Sequence, residues 1–282
     1  MVSLCRVGVS NNKRGSMGII SNNSLPENFE KYLNKAENPE RKRNEPAYNH
    51  CIKADALRIR NYFWESIDEY LLSISYDEAN FEAYRGMGLA YKQVGYIKSA
   101  LESFEKAKKI QPFDKTIYNE LGCCYMHDNK MDMALKRFKR ALILDENYTE
   151  AKFNLAVAHE FVNEYDMAIN IYLKIISERS SYIAAYNNLA SLYMRMGRLS
   201  DCIHYFKKLL DINPDYYRAY LGIAVAFDKM EQNNEAVRFY KKYMEYKPNS
   251  ANIQYIKDRI SEIRPESSAA KKSHLKLVTI NQ

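Results

Sequence analysis

The chain has 282 residues, of which 46% are hydrophobic and 27% charged, enough apolar material for a substantial core. Its formal charge is +7, but residues 47–264 hold 31 Lys and Arg against 29 Asp and Glu, so the excess sits mostly at the two ends and is a poor argument for a nucleic-acid partner. With 7 Pro and 9 Gly the composition leans to helix rather than a turn-rich sandwich, and no stretch reaches the roughly 18 consecutive apolar residues of a membrane span.

Residues 1–46 read as a mostly disordered extension, with 1–25 rich in Ser, Asn and Gly. A short helix is expected over 29–36, and Arg41-Lys42-Arg43 falls in a linker that ends at Pro46. The first eighteen residues lack the apolar stretch of a secretory signal, and no apolar run precedes Cys5, so the expected location is cytoplasmic. Cys5, Cys51, Cys123, Cys124 and Cys202 contain no C-x2-C pair and are expected as free thiols.

From residue 47 the spacing predicts one helix around 48–60 and another around 64–75, with Ala54, Leu57, Ile67 and Tyr70 on their apolar faces. Five segments then align without gaps, starting at Phe81, Lys115, Thr149, Ile183 and Tyr217, with a period of 34. The fourth residue is Tyr84, Tyr118, Lys152, Tyr186 and Tyr220. The eighth is small: Gly88, Gly122, Ala156, Ala190 and Ala224. The eleventh is Tyr91, Tyr125, His159, Tyr193 and Phe227. The twentieth is small again, and the twenty-fourth is always aromatic: Phe104, Phe138, Tyr172, Phe206 and Tyr240. Pro112, Pro214 and Pro248 end three of the units; Glu146 and Ser180 replace Pro in the other two.

Spacings of three, four and seven put the large side chains on one face of each of two helices per unit. The small residues allow the two helices to approach closely, and the aromatics fill the gaps between neighbouring pairs. Gly95, Asn129, Asn163 and Gly197 share the position just after the first helix, where a left-handed backbone is expected; Glu231 occupies it in the last unit. After Pro248, Ile253, Ile256, Ile260 and Ile263 recur at helical spacing.

An aromatic residue, Leu-Gly, Tyr, Ala, Phe, Ala and Pro at these offsets resemble the tetratricopeptide repeat. The resemblance implies an all-α fold, a right-handed superhelical solenoid of helix pairs with a C-terminal capping helix. Its repeats would be 81–114, 115–148, 149–182, 183–216 and 217–250, with a degenerate repeat at 47–80 and the cap at 251–263. The repeat domain would then span 47–263 and leave 264–282 as a flexible tail.

The resemblance also implies that the first helices line a concave groove through their second, fifth, sixth, ninth, twelfth and thirteenth positions. Asn119, Asn154, Asn187 and Asn188 there could hold the backbone of an extended peptide, since an amide both donates and accepts. Met126, Phe153, Val157, Phe161 and Met194 offer apolar contact. Arg85, Lys92, Arg195, Arg218 and Lys229 supply charge, and Cys123 and His127 complete the set. Some members of the family clamp a partner's C-terminal carboxylate with Lys and Asn four residues apart; here Arg85 is followed by Leu89 and Asn119 by Cys123, so that clamp is incomplete.

The expected function is a non-catalytic scaffold or adaptor that binds a peptide or a helical segment of a partner protein in the groove. A second reading is an RNA or acidic-partner binder using the basic run Lys136, Arg137, Lys139 and Arg140, although nothing that reads bases accompanies it and nucleic acid is not the expected partner. A regulatory subunit of a glycosyltransferase-type or secretion assembly, and self-association through the terminal repeats, stay open. No catalytic motif is present, Cys123 and His127 are too few to bind zinc, and neither a cofactor nor a metal is expected.

Overall fold

The computed structural model describes residues 45–263, so Cys5, the expected helix at 29–36 and the tail 264–282 lie outside the described residues. All regular structure among them is helical. The chain forms two compact units, one up to Ala158 and one from His159 onward.

The first unit begins with α1 (Glu45–Ile59) and α2 (Phe63–Tyr76), followed by α3 (Phe81–Gln93) and α4 (Ile97–Ile110), then α5 (Lys115–His127) and α6 (Met131–Leu144). Helix α7 (Thr149–Phe161) contains the division between the units. The second unit continues with α8 (Tyr165–Glu178), the pair α9 (Ile183–Arg195) and α10 (Leu199–Ile212), and the pair α11 (Tyr217–Lys229) and α12 (Asn233–Tyr246). A single last helix, α13 (Ile253–Ile263), packs against α12. The architecture is tandem helix pairs with an end helix, as the period predicts. One boundary differs: α1 starts at Glu45 and takes in Pro46, which the sequence reading gave to the linker. Proline is compatible with the first helical turn, where the N–H it lacks would have no intrahelical acceptor.

The repeat positions explain the packing. A Cβ placed on Gly88 would lie 2.7 Å from the Phe104 ring, and one on Gly122 would lie 2.4 Å from Phe138. The twenty-fourth-position aromatic therefore occupies the space that the eighth residue leaves empty. The same ring also reaches the next repeat: Gly222 and Gly86 would each place a Cβ 2.4 and 2.3 Å from Phe206 and Tyr70 respectively. Phe104 and Phe138 in the first unit, and Tyr172 in the second, are fully buried. Tyr118 donates to the Pro112 carbonyl at 2.9 Å and Tyr220 to that of Pro214 at 3.0 Å, so the fourth-position hydroxyl satisfies the turn left by the previous unit.

The chain reverses at the expected places. Asn61, Gly95, Asn129, Asn163, Gly197 and Glu231 all have positive φ, between 57° and 83°, and all occupy one repeat position. Asn61 thereby places residues 47–80 in register with the later repeats. The departures there are accommodated: His50 and Lys53 both pair with Glu69, at 2.7 and 2.6 Å, and the buried Ser66 donates to the Phe63 carbonyl. The irregular residues at 149–182 do not disturb the helices, which run 13 and 14 residues like those of the other repeats. His159 is buried and its Nδ1 lies 2.5 Å from Glu164.

Candidate functional site

In the first unit the inner positions of the first helices are largely consumed by packing. Asn119 and Asn154 are buried, and the Asn154 amide donates to Asn119 Oδ1 at 2.9 Å, with Cys123 Sγ at 3.5 Å. Cys123, Met126 and Phe153 are buried as well. The expected exposure of these five side chains is therefore corrected. Successive first helices meet through their fifth, sixth and ninth positions, and here those positions carry residues large enough to close the contact. Val157 is partly buried. Lys92 forms an ion pair with Glu120 of the next repeat, both side chains being nearly buried; burial disfavours its charge, but Glu120 outweighs this and its pKa is raised. Arg85 pairs with Glu82 on its own helix. His127 is exposed while Cys123 is buried, so the two do not present a shared face to a ligand.

In the second unit five side chains form one network. Glu160 accepts from the Tyr172 hydroxyl at 2.5 Å and pairs with Arg195 of the following repeat. Asn188 donates to the same Tyr172 oxygen at 3.2 Å, and Asn187 donates to Asn188 at 3.1 Å. Burial raises the pKa of Glu160 against the opposing pull of Tyr172 and Arg195. Phe161 is 55% exposed.

Beside this network lies an open groove of about 1000 Å³. Asn187, Ser191 and Met194 of α9 form one wall, and Arg218, Leu221 and Val225 of α11 form the floor. These are second, fifth, ninth and twelfth repeat positions. The positions equivalent to Cys123 and Asn154 carry Ser191 and Gly222 here; the Phe206 ring fills the side-chain space of Gly222, and Ser191 stays exposed along the open trough. The opposite wall comes from Tyr243, Tyr246 and the turn 247–252. Tyr246 stacks on Tyr220 with centroids 5.2 Å apart, and Lys247 Nζ sits 4.5 Å from the Tyr217 centroid. Sequence reasoning assigned Asn187, Met194 and Arg218 to the inner face but missed this aromatic wall. Its signal in the sequence is the run Tyr243 to Lys247 at the end of α12, outside the first-helix positions that the family pattern assigns to the groove. Lys229 is exposed and does not line the groove.

The basic run on α6 is partly neutralised. Arg137 lies 3.4 Å from Glu105 and over the Tyr125 ring, and Arg140 lies over Tyr118. Lys108 pairs with the same Glu105, which leaves Lys136 and Lys139 as its exposed charges. Among the described residues no group of three or more His, Cys, Asp or Glu side chains could hold a metal ion, and no helix is long and apolar enough to cross a membrane.

Family models described as tetratricopeptide repeat match residues 81–114, 183–216 and 217–250. These three stretches are tetratricopeptide repeats. Among solved structures of similar fold, the crystal structure of MamA is 27% identical, covers 59% of this chain and 97% of its own, and superposes with a TM-score of 0.53. PilW, described as a widely conserved type IV pilus biogenesis factor, is 19% identical over 74% of this chain and 97% of its own, with a TM-score of 0.67. YrrB, described as a repeat protein of this family with an unusual peptide-binding site, is 15% identical over 67% of this chain and 97% of its own, with a TM-score of 0.53. At such identity PilW and YrrB show the fold alone. Comparison with curated proteins gives no match.

Proposed function

We propose that this tetratricopeptide repeat protein is a non-catalytic, cytoplasmic interaction scaffold, and that the groove of its second unit receives an extended segment of a partner protein. The groove itself carries the reading. Its volume of about 1000 Å³ is at the upper end of the range for small-molecule sites, and it is an open trough rather than an enclosed pocket, as an extended chain needs. Its walls combine amide side chains that can pair with a backbone and apolar side chains that can bury alternate residues of that backbone. Peptide binding, named for YrrB, is the activity this reading extends to the present chain. The basic run on α6 gains no support as a separate site, because Arg137 is paired with Glu105 and Arg140 lies over the Tyr118 ring within the fold.

The test uses a substitution that fills the trough. Ser191 is exposed and lines the groove, so Ser191→Trp should obstruct it without disturbing the core. Wild-type and variant chains of equal circular dichroism are used as bait in parallel, with mass spectrometry of the retained proteins. The proposal expects a partner that is held by wild type and lost by the variant. Identical retention by both would remove the groove from consideration.

A further inference from the structure

The lining of the groove has a one-sided charge. Its two charged residues, Arg218 and Lys247, are both cations, and both are exposed. No Asp or Glu is found among the lining residues. Lys247 rests over the Tyr217 ring, 4.5 Å from its centroid, and Arg218 directly follows Tyr217 on α11, so both cations border the trough. The aromatic face holds the ammonium in place by its quadrupole while leaving the other N–H groups outward. Neither cation has a carboxylate partner among the ion pairs found in the described residues, in contrast to Arg195, Arg198, Arg238 and Arg259 of the same unit.

Resting on the groove reading above, we propose that its occupant is an acidic extended segment of a partner protein, with carboxylates of that segment pairing to Arg218 and Lys247. An Arg–carboxylate contact gives two parallel hydrogen bonds, and the tyrosine-mounted ammonium adds a second charge-assisted bond. Asn187, Asn249 and Asn252 border the same trough and can pair with peptide groups. Met194, Leu221 and Val225 accept aliphatic side chains between the acidic ones. The chain's own tail is a poor occupant by charge, since residues 264–282 hold Arg264, Lys271, Lys272 and Lys276 against Glu266 alone. A nucleic acid is also disfavoured, because two cations match few phosphates and affinity for a polyanion grows with the number neutralised.

The experiment selects short peptides from a random-sequence display library on the full chain, then measures labelled copies by fluorescence anisotropy. The expected result is selection of sequences enriched in Asp and Glu. Their affinity should fall at least about tenfold, equivalent to about 1.4 kcal/mol, in Arg218→Glu and in Lys247→Glu, and should also fall as salt is raised. Peptides that depend on the groove, being lost in Ser191→Trp, but show no acidic enrichment and no response to either charge reversal overturn this inference and leave the groove reading standing. Peptides indifferent to Ser191→Trp, or a selection that yields none, overturn both. Labelled single-stranded RNA that binds more tightly than any selected peptide, and is lost in the same charge reversals, overturns the acidic segment in favour of a nucleic acid.

Discussion

Tyr172 donates its hydroxyl to Glu160 Oε1 at 2.5 Å, across the two helices of one repeat. The same pair of positions, the twenty-fourth and the twelfth, is used again when Tyr240 donates to Asp228 at 2.9 Å. In the first repeat Tyr70 accepts from Arg58 Nε at 3.1 Å and donates to Asp55 at 2.6 Å. Where the aromatic is Phe104, Phe138 or Phe206, the twelfth residue is Lys92, Met126 or Met194. A buried hydroxyl needs an acceptor, so Tyr accompanies a carboxylate within reach and Phe does without one.

This coupling can be measured. Tyr172→Phe leaves Glu160 without its buried donor, and the loss should be about 1.5–3 kcal/mol, the range for a hydrogen bond to a charged group. In a Glu160→Met background, which copies the Phe and Met combination of two other repeats, the same change should cost clearly less. Urea denaturation of the four chains gives the interaction energy. Strict additivity would show that the contact is not energetic.

The Asn119–Asn154 contact gives a second prediction. Asn154→Ala removes the donor and leaves the buried Asn119 oxygen unpaired, at a cost of about 1–3 kcal/mol. The double change Asn119→Ala with Asn154→Ala should cost less than the sum of the single changes, because no polar group is left stranded. The midpoints of denaturation report both values. A surface role for Asn154 predicts almost no loss from the single change.

Glu231 is the third case. It holds φ at 58°, where its equivalents in the other repeats are Asn or Gly. The left-handed conformation costs an ordinary L-residue about 1–2 kcal/mol, and Asn adopts it more readily. Glu231→Asn should therefore raise stability by roughly 0.5–1 kcal/mol, while Asn129→Ala should lower it by a similar amount. Opposite signs in the two melts are the expected outcome.

The fourth concerns pH. Arg259 of α13 donates to both carboxylate oxygens of Asp228, at 2.8 and 3.0 Å. The Arg259 bonds, helped by the Tyr240 hydroxyl and opposed by burial, hold the Asp228 pKa below its ordinary value of 3.8. A depressed carboxylate pKa contributes stability that is present above pH 3.8 and is lost as pH falls through the folded-state value. The protection factors of the α13 amides, which remove the slowing of intrinsic exchange by acid, should then fall on acidification through that window more than those of the globally protected amides. Asp228→Asn should show quicker exchange already at neutral pH. Glu160 works in the opposite sense: burial raises its pKa above 4.5, so the stability it adds is present at low pH and is lost as pH rises through the raised value.

The period of 34 by itself determined the helix pairs, their ends and the sites of close approach. Gly88 against Phe104, Gly122 against Phe138, and the reversals from Gly95 to Gly197 were legible because each depends on residue size or backbone freedom at a fixed local offset. The Tyr and acid pairing is equally present in the sequence, at an offset of twelve within a repeat, but it joins two different helices and no helical spacing within either one points to it. Which inner positions stay open could not be read this way. Asn119, Asn154, Asn187 and Asn188 are one residue type on the same inner face of successive first helices, yet the first two are sealed against each other while Asn187 lines an open trough. That difference depends on side chains a repeat away: Gly222, backed by Phe206, stands where Asn154 does in the sealed contact, and Tyr243, Tyr246 and Lys247 form the far wall. Exposure is a property of the space between neighbouring helices, and only the packed structure sets that space.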